Sequence, residues 1–372
     1  MLALLSHSCM QRKPEPEVEY IIELEATVLR EGKLFLEDFT REILIVPLET
    51  RPECMISRGI RQIAMIPAGI LVLDRESNLY LFDTSGKYLR NLGQSGKGPG
   101  EYIGIAAFSW SEEHKLIFVL DNQGRKLIAF DPEGGQGSPL FNTGYGFNMA
   151  SLDQRIYLYM PPELTGMETD TVYMLREYET SGVPGNSFLQ VVRPAMMPYI
   201  TSGKFWHYGS GLRFREPFGD TIYHLDQSGL RPVYLLRQGG LRLERQDMAM
   251  PEIYREKRKH SAEFTGFVET QKYLFARCLL RGTDCLLIYS KSSGDGFVAK
   301  VPGLGSGLMS THLPGILLNP IFANDSLIIL PLEPEDYMKS VQPGPADTSG
   351  INHQAGSSIQ PGNPVLVLGR LK

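Results

Sequence analysis

The feature that most limits how this chain can fold is a turn motif that returns at a nearly fixed interval. Phe82-Asp83 is followed by Gly86, Phe130-Asp131 by Gly134, Tyr178-Glu179 by Gly182 and Leu225-Asp226 by Gly229, with a looser copy at Tyr289-Ser290 and Gly294. Successive glycines stand 48, 48, 47 and 65 residues apart. An acidic side chain accepts backbone hydrogen bonds inside a tight turn and a glycine three residues on takes positive φ, so turn chemistry alone explains both residue types. Each turn ends an alternating strand that follows a short apolar one, such as Ile70–Asp74 or Leu116–Asp121. A period near fifty in a strand-rich chain predicts a β-propeller, in which each blade packs only on its neighbours.

Counting strand pairs predicts six blades: pairs ending at Asp83, Asp131, Glu179 and Asp226, a fifth from Tyr273–Cys278 to Tyr289, and a sixth pairing Leu327–Leu330 with Val365–Leu368. The fold class is therefore all-β, a six-bladed β-propeller with a short helical insertion. The last strand ends four residues from the C-terminus. It is placed to join N-terminal strands in one blade and close the ring, which removes open edges. Glu42–Glu49 reads as a strand that Pro47 confines to an edge.

Two segments break the period. Residues 242–262 are rich in charge and helix formers, with Pro251 suited to a first helical turn, and predict a helix of two to three turns from Glu252 onward. Residues 333–363 have the composition of a mobile loop. The domain reading is a tether over 1–17 and a propeller over 18–372.

The formal net charge of −5, with no long basic run, argues against nucleic acid as a partner. No apolar run is long enough for a membrane helix. The start, Met1 to Cys9, is a short apolar run ending in small residues and a cysteine, followed by polar Gln11–Glu17. It resembles the end of a bacterial lipoprotein signal peptide, which makes Cys9 the expected lipidation site and the lipid the chain's membrane contact. Ser6 stands where such signals usually carry leucine, and no positive segment precedes the apolar run. Cys278 and Cys285 flank Arg281-Gly282. A two-residue hairpin turn there sets the two thiols opposite each other, either as a disulfide in an oxidising compartment or as two small buried apolar groups.

Several local sequences resemble one family, the six-bladed β-propeller lipoproteins abundant in Bacteroidetes, related in fold to NHL-repeat and TolB-like propellers. The residues that carry it are Ile45–Thr50, Leu81–Leu89, the run Gly93, Gly96, Gly98, Pro99, Gly100, Glu101 and Tyr102, and Asn363–Leu368. The resemblance implies an exported, lipid-anchored protein of the cell envelope, in the periplasm or at the outer membrane. It implies no particular chemistry.

Candidate functional residues are few. The Gly93–Tyr102 loop ends in Pro-Gly-Glu-Tyr and leads to a strand. It therefore lacks the helix and Lys-Ser/Thr of a phosphate cradle and reads as an inter-blade connection. Glu101 and Tyr102 are the positions from which it would face a ligand. Phe205-Trp206-His207-Tyr208, with Trp110, Tyr157 and Tyr159, supplies aromatic faces that suit a sugar ring and equally suit a half-buried sheet. Trp206 and His207 are the expected ligand contacts. The seven histidines show no metal-binding spacing, and neither metal nor cofactor is expected. The expectation is a monomeric binding or scaffold module for a glycan, peptide or protein partner. The alternative is a propeller hydrolase or lyase acting on a glycan or peptide, built from inward acids and histidines of several blades.

Overall fold

The computed structural model describes residues 16–164, 171–192, 203–340 and 362–372. Cys9 lies outside them. The described strands form six sheets, one per blade, in a closed ring. From the inner strand outward, blade 1 is Ile60–Ile66, Gly69–Asp74, Leu79–Phe82 and Tyr88–Asn91. Blades 2 and 3 repeat the plan from inner strands Ile105–Ser111 and Asn148–Leu152. Blades 4 and 5 begin with Lys204–Tyr208 and Ala262–Glu269. Each of the latter two gains an outer parallel strand from the N-terminal segment, Tyr20–Glu23 on blade 4 and Glu31–Gly32 on blade 5.

Blade 6 closes the ring as its sequence predicts. The C-terminal strand Val365–Leu371 lies between Leu327–Leu332 and the N-terminal strand Thr40–Pro47, with Ile329 opposite Leu368 and Ile45 opposite Val367. Pro47 is on the blade's outer edge, where a missing N–H costs no ladder bond.

The repeated turns do what their residue types require. Asp83 Oδ1 accepts the backbone N–H of Ser85 at 2.8 Å and of Lys87 at 3.0 Å. Asp131 and Asp226 accept the N–H two residues on in the same way, each at 2.8 Å. Gly86, Gly134, Gly182, Gly229 and Gly294 all take positive φ. Cys278 and Cys285 are opposed in the register expected, with Leu280 opposite Thr283 across the Arg281-Gly282 turn. Both are free, buried thiols here, and contact with Cys285, then burial, raises the pKa of Cys278.

Apolar residues collect in six clusters, each shared between two neighbouring blades, including one that joins blade 6 to blade 1. Stability is therefore spread around the ring as nearest-neighbour interfaces.

The insertion forms a helix at Pro251–Arg258 with no buried residue, after a short 3-10 turn at Arg245–Ala249. Arg245 fixes that segment to the ring through ion pairs with Glu163 and Glu216. One expectation needs correction. The first part of the stretch read as a mobile loop is a helix, Pro334–Ser340, whose Tyr337 is 1% exposed in the core between blades 5 and 6. Loop composition further along obscured a good helical start, with Pro334 leading and Glu335 and Asp336 in the first turn. Of the rest of 333–363, residues 341–361 lie outside the described residues, while Asn363 is buried and accepts Ile56 N–H at 2.7 Å.

Candidate functional site

Six inner strands stand around one axis and leave a central channel between them. Where these strands finish, the channel widens into a cavity of about 830 Å³ lined by all six blades. Its walls are largely apolar, with Phe108, Met149, Phe205, Phe267 and Phe322 among them. Polar groups concentrate at the rim, where Glu112, Glu113 and Asp153 follow the inner strands of blades 2 and 3. Trp110 Nε1 donates to Glu112 Oε2 at 2.7 Å, so this indole is oriented at the rim by its own turn.

Trp206 and His207 both line the cavity, brought there by the inner strand of blade 4. The Trp206 ring stacks on Phe267 of blade 5, with centroids 5.0 Å apart and an interplanar angle of 14°. Its Nε1 donates to Glu269 Oε2 at 3.0 Å. Glu269, at the end of the inner strand of blade 5, is 2% exposed. Its carboxylate also accepts from Arg213 Nε at 3.1 Å, from Tyr234 OH at 2.7 Å and from Lys291 Nζ at 2.8 Å. The Arg213 and Lys291 cations lie over the Tyr208 ring, 4.4 and 3.8 Å from its centroid. Burial pushes the carboxyl of Glu269 up, but the two cations and the donated hydrogen bonds outweigh it and hold its pKa below the usual range. The carboxylate is thus saturated and ties blade 4 to blade 5 at the cavity wall.

His207 differs. Its ring is open to the cavity yet surrounded by protein, and burial alone lowers its pKa below 6.5. It is neutral at pH 7 and offers one donor and one acceptor to whatever enters.

Glu101 and Tyr102 occupy another place. Tyr102 is 4% exposed in the cluster between blades 1 and 2, where burial pushes its phenol up to about 12. Glu101 accepts Gly98 N–H at 2.8 Å and Gln94 Nε2 at 2.7 Å, which ties the glycine loop to itself. A side chain at Gly96 would run into the Glu101 carboxylate, so these glycines serve close packing. Neither residue lines the cavity. Among the described residues no group of three or more His, Cys, Asp or Glu side chains is arranged to hold a metal ion.

Sequence reading missed Glu269, Arg213, Tyr234 and Lys291. Their signal was weak but present: charged residues inside otherwise apolar strands, as in Leu212–Arg215 and Phe267–Glu269. Nothing local said that these charges meet.

A family model described as a domain of unknown function, DUF4934, matches residues 19–370. No curated protein matches the chain by sequence. Among solved structures the chain is similar to a candidate exported protein of Bacteroides fragilis NCTC 9343, with 18% identity and a TM-score of 0.73 over 95% of this chain and 99% of that one. It is also similar to a DUF4221-family member from Bacteroides vulgatus, with 11% identity and a TM-score of 0.53 over 90% and 97% of the two chains. At such identities the likeness is one of fold.

Proposed function

Since the chain belongs to the DUF4934 family, whose description assigns no activity, we propose a function from the cavity itself: an exported, lipid-anchored module that binds a glycan or peptide segment there. The observation that carries this reading is the cavity of about 830 Å³, with apolar walls, aromatic rings and a neutral, open His207 at its side. Volume, apolar lining and a few polar groups are the attributes of small-ligand sites. The use of charge also favours binding over catalysis: the buried carboxylate at the wall, Glu269, is saturated by four donors rather than paired with His207. Export is supported by the N-terminal sequence and by the Bacteroides fragilis relative's description, and anchoring through Cys9 by the N-terminal sequence.

The test is a glycan and peptide array probed with the full chain, followed by affinity measurements on His207→Ala and Trp110→Ala. These variants leave the Glu269 network intact. A ligand whose affinity falls about tenfold in either variant supports the reading, that being the worth of one stacking or hydrogen-bonding contact. Ligands indifferent to both substitutions refute it. For the anchor, Cys9→Ala is expected to move the protein from the membrane to the soluble fraction in its native host, and unchanged membrane association would exclude this tether.

A further inference from the structure

Beyond the cavity lining, toward the start of the inner strands, the channel has a different chemistry. Lys204 is the first residue of the inner strand of blade 4, and Arg61 is the second residue of that of blade 1. Arg277 belongs to the second strand of blade 5, but its register partner on the inner strand is Gly266. With no side chain there, the guanidinium lies across the inner strand, its Nη2 2.6 Å from where a Cβ on Gly266 would stand. Arg75 follows the second strand of blade 1, on the turn at this same end.

These cations from blades 1, 4 and 5 act on one another. Burial first, then Arg277 and Arg61, lowers the proton affinity of Lys204. Burial and Arg75 likewise lower that of Arg277 and of Arg61. Asp284 is the acid that offsets this, and it acts on Arg277 alone. Arg61 spends two nitrogens on the carbonyls of Ile105 and Ala106, at 2.8 and 2.7 Å, which fixes its position without neutralising it. Arg277 Nε is buried and has no hydrogen-bond partner among the described residues.

A folded chain that gathers like charges at a partly buried position, and leaves a guanidinium nitrogen unpaired, bears a cost in repulsion and desolvation. The Glu269 network beside the cavity shows how this protein treats buried cations elsewhere: it supplies a carboxylate. Here the offset is smaller: Asp284 acts on Arg277 from a distance, and among the described residues no carboxylate forms an ion pair with Lys204, Arg61 or Arg277.

We propose that this end of the channel is an anion site, taking a carboxylate, sulfate or phosphate group on Arg277 and Lys204, with Arg61 and Arg75 supplying further positive potential. A guanidinium fork beside an ammonium suits such a planar or tetrahedral oxyanion. The inference deepens the ligand-binding reading, because it gives the ligand an acidic group, yet the anion site stands on these cations whether or not the cavity is used.

The experiment is isothermal calorimetry on the full chain in chloride-free buffer with inorganic sulfate, inorganic phosphate and glucuronate, and with glucose as the uncharged control. At least one anion is expected to bind saturably while glucose does not, and the ranking of the three distinguishes a carboxylate ligand from a sulfated or phosphorylated one. Arg277→Gln and Lys204→Gln are each expected to weaken binding about tenfold or more, the value of one charge-assisted hydrogen bond. Gly266→Ala is the subtle variant: its methyl displaces the flexible tip of Arg277, so it is expected to weaken the anion while leaving the unfolding midpoint in place. Absence of saturable binding by all three anions in the wild type overturns the proposal. So does undiminished binding in the three variants, which would leave an adventitious ion only. Failure of the glycan and peptide array with anion binding intact would remove the cavity reading and keep this one, and the reverse pattern would do the opposite.

Discussion

Replacing Glu269 by Gln changes one oxygen to an NH₂ group and removes one charge from the centre of a buried network. The native carboxylate accepts from Trp206, Arg213, Tyr234 and Lys291 at 3.0, 3.1, 2.7 and 2.8 Å. A glutamine has one acceptor oxygen for these donors, and its own NH₂ must face at least one of them. Arg213 and Lys291 are then left as buried cations without a counter-charge, their side chains only 4% and 5% exposed. Breaking a buried ion pair from one side costs about 3–5 kcal/mol, because the stranded charge cannot return to water. With an unfolding entropy scaled to 372 residues, that loss lowers the melting midpoint by roughly 4–6 °C. Urea unfolding followed by circular dichroism measures the free energy and calorimetry the midpoint. Adding Lys291→Met removes one stranded cation, so the double variant should lose about 0.5–3 kcal/mol less than the sum of the single changes. A Trp110→Phe background leaves Trp206 as the sole tryptophan, and its emission should shift when Nε1 loses its acceptor. A loss below about 1 kcal/mol, the worth of an exposed pair, would refute the view that this carboxylate holds blades 4 and 5 together.

Other expectations follow from the same geometry. Removing residues 362–372 deletes the strand between Leu327–Leu332 and Thr40–Pro47 and exposes both as edges; the product should aggregate, and a monomeric, cooperatively unfolding protein would contradict the ring closure. Gly86→Ala meets a φ of +89° and runs a methyl into the Pro47 carbonyl, so a loss of about 2–3 kcal/mol is expected in denaturant unfolding, and a neutral effect would disprove that turn. His207 and His224 both have pKa values lowered from 6.5, chiefly by burial. The unfolded chain therefore binds their protons first, and their stabilising contribution, complete above about pH 6.5, is lost as pH falls through the native values. His224→Gln should flatten part of that slope, and an unchanged stability profile between roughly pH 7 and 5 would show that its burial has no such consequence.

The repeated turns, the blade count, the closing strand and the Arg281-Gly282 hairpin were all legible in the sequence. Each rests on contacts between residues few positions apart, or on strand patterns that can be counted. The helix at Pro334–Ser340 was local too, yet the proline- and glycine-rich composition that follows it masked its start. The aromatic run was legible as a run, and Trp206 and His207 do line the cavity. Glu101 and Tyr102 show the limit: a distinctive motif was visible, but its glycines, carboxylate and phenol pack against one another and between blades 1 and 2.

What the sequence determined by itself is therefore the ring: how many blades, where each turns, and which strand closes it. Only the tertiary structure decided which charges meet. Trp206 and Glu269 stand 63 positions apart and hydrogen-bond, while Arg277 and Arg61 act on Lys204 from two other blades. The physical reason is that a turn is fixed by the φ and hydrogen bonds of its own residues, whereas the pairing or isolation of a buried charge depends on closure, register and depth, which no local segment specifies.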